Sequence, residues 1–579
     1  MLRYWSNGSC RRNDVAEAPI QSRPELRVFC RMSTETDRAQ KPREMSSDAE
    51  EPYRIGRGIA CASTALLIGL AQGLGLNLVS SNLTFIQGSL GATAAEVSWL
   101  TSAYFATLLS GILLLTKVRV HFGFRRFANF ALSGFFLVAI VHVFTDNLTS
   151  AIAARAALGI AAAPLSAMAV YYMMEAFPAP RAAVGLVLGF GALQLGAPLS
   201  RVISEDLLQI GQWHGLFLVD IALAGFCCAA INLVHLKPVP PQTAFALGDL
   251  ITFPLYAAAL ALLCIVLTQG RLSWWTDAPW LGVCLACGIA SFGLYAAIDL
   301  NRRSPLLDLH WLTRPFMLRF IVGVVLFRIV LSEQTVGVVG LMNVLGMTND
   351  QMHGLFLLVT AGTALGFFIA VAFAALGQAN LLVILAALLV ASVAWVDSDA
   401  TAVTRPSELL LTQTLLALAT AMFFAGSCII GFGKVLREGR KNIISFVAAF
   451  AVAQYGGTLV ASAWITTVVA VRQGLHFAAL TQHLRQGDPQ LVARLSQTTG
   501  GYARFVIDPS ARALQGIATL AQQVTRESFV LAYDDLFQMI ALIACAIALW
   551  LTIVSVVASR ERLRERLIQT PHANGSARS

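Results

Sequence analysis

Long apolar runs separated by short basic turns constrain the fold of this chain more than any other feature. Residues 97–116 form a mostly apolar run of about twenty residues, the length that an α-helix needs to cross the ~30 Å hydrocarbon core of a bilayer. A basic turn with Gly123, Arg125 and Arg126 follows, and a second apolar run covers residues 127–144. Because a backbone in lipid must satisfy its own hydrogen bonds, both runs are predicted to be helices. The basic turn between them is predicted to face the cytoplasm.

Composition extends this interpretation to the whole chain, which is 57% hydrophobic and only 13% charged. Soluble proteins carry about 25% charged residues, so an all-α polytopic membrane protein is predicted. The net charge is +9, but the basic residues stand at the ends of apolar runs and not on one face, so no nucleic-acid partner is expected. Cys284 and Cys287 form a C-x2-C pair inside an apolar run without a second pair of ligands. Neither a metal nor another cofactor is therefore expected.

Fourteen apolar runs are long enough to span a membrane. The predicted spans 1 to 14 cover residues 58–79, 97–116, 127–144, 148–172, 182–202, 213–236, 250–269, 278–298, 316–339, 353–376, 379–396, 409–432, 443–471 and 534–558. An even number puts both termini on one side, and the loops that would then be cytoplasmic hold most of the loop lysines and arginines, as the positive-inside rule requires. The segment 472–528 is external by alternation. Its pieces 476–485 and 511–524 have the spacing of amphipathic surface helices.

These spans divide the chain into five predicted parts. They are a disordered cytoplasmic tail (1–55), a six-helix bundle (56–236), a linker with two extra membrane helices (237–305), a second six-helix bundle that includes the external loop 472–528 (306–558), and a cytoplasmic tail (559–579). The first part is polar and contains several prolines, which is typical of disorder.

Short motifs occur in a fixed order along the spans. They are Trp99 and Tyr104 in span 2, Gly123, Arg125 and Arg126 in the first basic turn, Arg155, Gly159 and Pro164 in span 4, Phe177, Pro178 and Arg181 in the next turn, residues 303–309 (RSPLLDL) before span 9, and residues 533–537 (YDDLF) before span 14. In this order the chain resembles the major facilitator superfamily, and more closely its fourteen-span drug:proton antiporter branch, the multidrug efflux proteins. The resemblance implies two six-helix bundles with two extra middle helices, a transporter and not an enzyme, and transport by alternating access.

Two of the family's motifs are degraded here. In the loop motif, Thr116 and Arg119 stand where the family has a glycine followed by an aspartate, and in span 5 Pro198 is shifted and Arg201 replaces a glycine. The acid that is common in the first span is absent. The resemblance nevertheless assigns the conformational motif to Gly123, Arg125, Arg126, Gly159, Pro164, Gly189, Gly196 and Pro198. It also implies proton transfer by Arg155.

Ionisable side chains inside spans cost at least about 2.5–3.5 kcal/mol near the bilayer centre, so they face a cavity or have a partner. The candidates are Arg155, Arg201, Asp220, Arg328 and Glu333. Arg201 and Asp220 lie at similar depth on consecutive spans, and both are charged where the family is uncharged, so we predict an ion pair. Proton coupling is assigned to Arg155, Asp220, Arg328 and Glu333. Because the first-span acid is absent, Glu333 is predicted to be the coupling acid, with Arg155 and Arg328 tuning it; the alternative is a packing role.

Small residues form a stripe along span 5, at Gly185, Gly189, Ala192 and Gly196. Small residues let helix backbones approach closely, so packing is the first interpretation. The alternative is a sliding contact between the two bundles during alternating access.

Transport powered by an ion gradient is the leading hypothesis. No phosphate-cradling glycine loop followed by Lys and Ser or Thr occurs, so ATP is not the expected energy source. We expect a proton-coupled exporter of amphipathic drugs or other organic compounds, including organic anions, in a bacterial inner membrane. Its expected partners are its substrate, protons, the lipid bilayer, and a periplasmic adaptor with an outer-membrane channel. Two alternatives stay open: an importer or uniporter of a small organic solute without proton antiport, and a non-transporting membrane partner or receptor.

Overall fold

The computed structural model of the chain describes residues 55–178, 181–236, 246, 248–302, 305–439, 442–482 and 489–569. Across these ranges the chain is helical and contains no strand. Among the described residues, fourteen helices are long and apolar enough to cross a membrane, which confirms the predicted number of spans. The predicted tail 1–55 falls outside the described residues except for Ile55, and so do the start of the linker and the last ten residues.

The spanning helices are labelled α1 to α14 here. They are α1 (Ile55–Ser80), α2 (Ala94–Phe122), α3 (Phe124–Val143), α4 (Leu148–Glu175), α5 (Ala182–Gln194 and Gly196–Gly211), α6 (Gly215–Leu233), α7 (Asp249–Gln269), α8 (Pro279–Leu300), α9 (Pro315–Ser332, Glu333–Val338 and Val339–Val344), α10 (His353–Ala375), α11 (Ala379–Asp397), α12 (Leu410–Glu438), α13 (Ile443–Ala451, Val452–Gly456 and Gly457–Gln482) and α14 (Pro509–Gln569). Shorter helices cover Leu83–Leu90, Leu309–Leu312 and Pro489–Gly501.

Local sequence signals set several of these boundaries. Thr93 caps α2 through a capping box, in which its side chain accepts from the Glu96 amide at 3.3 Å and the Glu96 carboxylate accepts from the Thr93 amide at 2.7 Å. Asn147 caps α4 by accepting from the Ser150 amide at 2.9 Å. Gly123 alone separates α2 from α3 and has φ of 80°, a conformation that favours glycine. The tight basic turn predicted between spans 2 and 3 is thus present.

Two spanning helices contain a π-helical turn, Glu333–Val338 in α9 and Val452–Gly456 in α13. A π-turn widens the helix by one residue and is found frequently at functional sites. Both turns fall in the middle part of the second helix group, and α9 packs directly against α13. The sequence carried no proline or repeat that would have indicated either turn.

The extramembrane part of α13 and α14 differs from the prediction. Residues 476–482 continue α13 and residues 511–524 belong to α14, so these pieces are helical but are not separate surface helices. No proline interrupts either junction, and a change from apolar to polar composition does not end a helix by itself. The helix Pro489–Gly501 between them was not predicted.

The helices pack in two groups with an added pair. In the first group α1 packs on α4, α5 and α6, and α2 packs on α4. In the second group α10 and α11 pack on α12, and α13 and α11 pack on α14. The pair α7–α8 lies against α2 and also contacts α13. Contacts between the groups run from α5 to α10 and α12, and from α2 to the first part of α13.

The small-residue stripe of α5 is packed inside the first group. A methyl group added at Gly196 would lie 2.5 Å from the Gly73 Cα of α1, and one added at Gly189 would lie 2.8 Å from the Val170 Cα of α4. Gly191, outside the stripe, is the residue that faces α10, where an added methyl would lie 2.9 Å from the Phe367 ring. These contacts fit the packing interpretation of the stripe and not a sliding contact between groups.

Candidate functional site

A cavity of about 1500 Å³ lies between the two helix groups. Its walls come from α1, α2, α4 and α5 on one side and from α9, α12 and α13 on the other. We call the end that holds the Gly123 turn the basic end, and the end that holds residues 81–93 the opposite end. Lining residues reach from Arg119 and Leu436 near the basic end to Ser81 and Asn349 near the opposite end. The cavity therefore runs along most of the membrane-spanning length.

A belt of polar side chains crosses the middle of the cavity. Gln72 of α1 donates to the Tyr455 hydroxyl of α13 at 3.3 Å, which joins the two groups. Arg328 of α9 donates to the Thr458 hydroxyl through Nε at 3.0 Å and through Nη2 at 2.5 Å. Gln454, in the π-turn of α13, is 5% exposed. Its amide oxygen and nitrogen have no hydrogen-bond partner among the described residues.

The opposite end holds a latch, a cluster of hydrogen bonds centred on Asn349 in the loop between α9 and α10. Its side-chain amide donates to the Ser81 carbonyl at 3.2 Å and to the Asn82 side chain at 3.0 Å. Its Oδ1 accepts from Arg201 Nη1 at 2.9 Å. Three hydrogen bonds thus tie Asn349 to the two residues that follow α1 and to α5.

Polar contacts described at the basic end stay within one group or involve α7. Arg57 pairs with Glu175 at 3.7 Å in the first group, and Arg314 pairs with Glu438 at 3.4 Å in the second. Lys117 of α2 pairs with Asp249 of α7 at 2.8 Å, and Asp249 also accepts from Arg302 at 2.9 Å. This buried cluster fastens the extra helix pair to α2.

Arg155 and Asp220 occupy one buried site in the first group, and each is 1% exposed. Arg155 Nη1 donates to the Gly75 carbonyl at 2.9 Å, and its guanidinium lies 4.3 Å from the Tyr104 ring centroid. Asp220 also faces Gly75, where an added methyl would lie 3.5 Å from its Oδ1. The two side chains are electrostatic neighbours of opposite charge. Asp220 therefore lies in the same buried site as Arg155, beside Gly75.

Arg201 has other partners than the one predicted. It binds Asn349 in the latch, and its guanidinium lies 5.3 Å from the Phe356 ring centroid. Within the described part of the chain it forms no ion pair with Asp220, because the two residues face different neighbours. The predicted Arg201–Asp220 pair is therefore not present in this structure. Equal depth on two helices does not fix the direction in which each side chain points.

Glu333 is fully buried in the π-turn of α9 and faces Asp397, the last residue of α11. Asp397 is 3% exposed, and its Oδ2 accepts from Gln413 Nε2 at 2.7 Å. Both oxygens of Glu333 and Oδ1 of Asp397 lack a donor among the described residues. Two carboxyl groups therefore meet in a site that supplies too few hydrogen-bond donors for two carboxylates.

The structure does not bring Arg155 or Arg328 to Glu333. Arg155 lies in the first group, and Arg328 is bonded to Thr458 on another side of α9. The ionisable neighbour of Glu333 is Asp397. This partner could not be predicted from the sequence, because Asp397 lies one residue beyond the predicted span 379–396.

The residues assigned to the conformational motif lie at the exposed basic end, at a helix contact and on the cavity wall. Arg125 and Arg126 are exposed beside Gly123 at the basic end. Gly159 allows α4 to approach α2, since an added methyl would lie 2.5 Å from the Tyr104 carbonyl oxygen. Pro164 lies inside α4 and lines the cavity, and Pro198 lies near the start of the second segment of α5.

Two groups of spanning helices around a central cavity, with the added pair α7–α8, form a polytopic membrane protein. A model of the Major Facilitator Superfamily matches residues 65–433, which is more than half of the chain. The chain therefore belongs to the Major Facilitator Superfamily and is a transporter, not an enzyme.

Curated relatives are similar over part of their length. The fatty acid resistance protein FarB of Neisseria gonorrhoeae is 22% identical over 260 residues, 44% of this chain and 50% of that protein. The tetracenomycin C resistance and export protein of Streptomyces glaucescens is 22% identical over 247 residues, 42% of this chain and 46% of that protein. The match thus spans about half the length of these relatives. A solved structure of PepTSo2 shares the fold with a TM-score of 0.52 and 15% identity, over 87% of this chain and 99% of that one.

Proposed function

We propose that this protein is a proton-coupled exporter of amphipathic organic compounds that works by alternating access. The observation that carries the proposal is the central cavity, whose two walls are latched together at the opposite end by Asn349. At the basic end, the ion pairs Arg57–Glu175 and Arg314–Glu438 each stay within one group. Two helix groups that are hydrogen-bonded to each other at one end of a shared cavity could part at the other end, as alternating access requires.

The basic end is proposed to face the cytoplasm. It holds Arg125 and Arg126, and the short loops on that side carry most of the loop arginine and lysine. With this orientation both termini are cytoplasmic and the structure represents an inward-facing state. We place the protein in a bacterial inner membrane, where a periplasmic adaptor and an outer-membrane channel would take over the exported compound.

Glu333 and Asp397 are proposed to form the proton-coupling site. Two carboxyl groups that share a buried site cannot both be ionised at low cost, so the pair holds a proton in this conformation. The described side chains of α12 that hydrogen-bond Asp397 are neutral, namely Gln413 and Thr412. The pair lies on α9 and α11, and its neighbour Thr335 lines the cavity, so movement of α9 would change its hydration.

Names of the similar proteins support export of amphipathic compounds. The two relatives described above are named for resistance, one to fatty acids and one to tetracenomycin C, and the second is also named for export. The apolar, aromatic walls of the cavity suit such compounds.

Purified protein in liposomes with an imposed pH gradient tests the proposal. An exporter coupled to protons moves protons only when substrate is added, and drives substrate uphill. Substrate that equilibrates without proton movement indicates the importer or uniporter. Movement of neither, by protein that is folded and correctly inserted, indicates a non-transporting membrane partner and contradicts the proposal.

A further inference from the structure

The cavity is positively charged. Three arginines, Arg119, Arg201 and Arg328, are among its described lining residues, whereas no aspartate or glutamate is. Arg201 is engaged in the latch, and Arg119 lies over the Tyr171 ring at 4.4 Å near the basic end. Of these three arginines, Arg328 is therefore the one that lies in the middle of the cavity. A partly buried positive charge without a carboxylate beside it favours a negatively charged ligand.

Arg328 is oriented by neutral groups. Its Nε and Nη2 both donate to the Thr458 hydroxyl, which in turn donates to the backbone carbonyl of Gln454 at 3.0 Å. Its electrostatic neighbour is the Tyr455 hydroxyl group. No acceptor is described for its Nη1 in the part of the chain that the structure covers. The guanidinium is therefore held in place while keeping donors for a ligand.

Gln454 adds a second, independent indication. Its side chain is buried, lines the cavity, and has neither oxygen nor nitrogen bonded to a described residue. A buried amide without a partner is costly, and such groups in native proteins call for an explanation. The π-turn at Val452–Gly456 is the local feature that places Gln454 and Tyr455 on the cavity wall one turn from Thr458.

Three phenylalanines lie beside this polar belt. Phe190 of α5 lies 5.4 Å from Phe424 of α12 and 6.0 Å from Phe450 of α13, between ring centroids, and all three line the cavity. They provide an apolar surface contributed by both helix groups, next to the donors of α9 and α13.

We propose that the cavity binds an amphipathic organic monoanion, such as a long-chain carboxylate, with its acidic group on Arg328 and Gln454 and its apolar part on Phe190, Phe424 and Phe450. The inference rests on the proposed transport function and narrows its substrate class. An amphipathic cation would meet arginine with no acid to offset its charge, so it is excluded from this site.

Binding is measured with the full-length protein in lipid nanodiscs, with tritiated dodecanoate as the probe and empty nanodiscs as the background. We expect saturable binding that unlabelled dodecanoate displaces and dodecyltrimethylammonium does not. Arg328→Gln should weaken binding by about tenfold or more, because it removes a charged hydrogen-bond donor. Arg328→Lys should keep part of the affinity, since it retains the charge without the planar fork.

Arg319→Gln is the matched control, because Arg319 is an exposed arginine on the same helix and should leave dodecanoate binding unchanged. Gln454→Leu should lower affinity by a smaller factor than Arg328→Gln and serves if the arginine variants do not fold. Equal displacement by the cation, or wild-type binding by both Arg328→Gln and Gln454→Leu, overturns the anion site. Dodecanoate binding without pH-driven dodecanoate movement would instead overturn export and leave the site intact.

Discussion

Glu333→Gln separates proton coupling from packing at the carboxyl pair. The substitution keeps the shape of the side chain, removes its titration, and introduces an amide that can donate to Asp397 Oδ1, which lacks a donor in the described structure. A hydrogen bond to a charged acceptor contributes about 1.5–3 kcal/mol. We therefore expect the variant to fold as well as the wild type, with an equal or higher midpoint of thermal unfolding.

Transport by this variant should be uncoupled. A gradient of one pH unit is worth about 1.4 kcal/mol per proton, which sustains up to about a tenfold substrate ratio for each proton exchanged. In proteoliposomes with an acidic lumen, wild-type molecules whose basic end faces the bath should transport dodecanoate into the lumen and accumulate it there. Glu333→Gln should bring the ratio to about one while retaining exchange of labelled for unlabelled dodecanoate.

Two further variants make the result specific. Asp397→Asn should uncouple transport in the same way, since both acids hold the shared proton. Asp399→Asn, at an exposed acid two residues away, should remain coupled. If Glu333→Gln is folded and still sustains the wild-type ratio with the same pH dependence, the carboxyl pair is not the coupling site.

Three other outcomes follow from the structure. In intact cells, an impermeant maleimide should label a single cysteine at Gln490 but not one at Arg125, and the reverse pattern would invert the topology. Asn349→Ala removes three hydrogen bonds across the helix groups, so hydrogen exchange in its loop should be faster; unchanged exchange would rule out a latch. Arg155 and Asp220 are neighbouring buried charges, and removing one leaves the other uncompensated, so Arg155→Ala and Asp220→Ala should each lower the yield of folded protein. The double variant should recover part of the yield, and simple addition of the two losses would show that the charges do not interact.

The number and position of the spanning helices could be predicted because transfer of an apolar helix into lipid depends on local composition. Every predicted span coincides with a helix, and the Gly123 turn is where the sequence placed it. Helix length beyond the membrane was predicted less well. The polar residues before span 14 continue α14 without a break, and hydropathy does not distinguish a helix from a loop outside the hydrocarbon.

The partners of buried charges could not be predicted from sequence. Depth along a span follows from residue number, but the direction of a side chain depends on helix rotation and on π-turns, which tertiary packing determines. Arg201 therefore faces Asn349 and not Asp220, and Glu333 faces Asp397 at the end of α11. Gln454 was not predicted as a site residue, because a single amide in span 13 is a weak signal. Its polar side chain inside an apolar span is nevertheless the signal that could have identified it.

Alternating access itself is tested most directly by distances at the two ends of the cavity. In a cysteine-free protein, spin labels at Met174 and Leu436 report on the basic end, and labels at Gln209 and Thr348 report on the opposite end. We predict that a pH change shortens one distance while it lengthens the other, and that Glu333→Gln abolishes this response. Distances that stay fixed at both ends, or change in the same direction, would contradict alternating access coupled to protons.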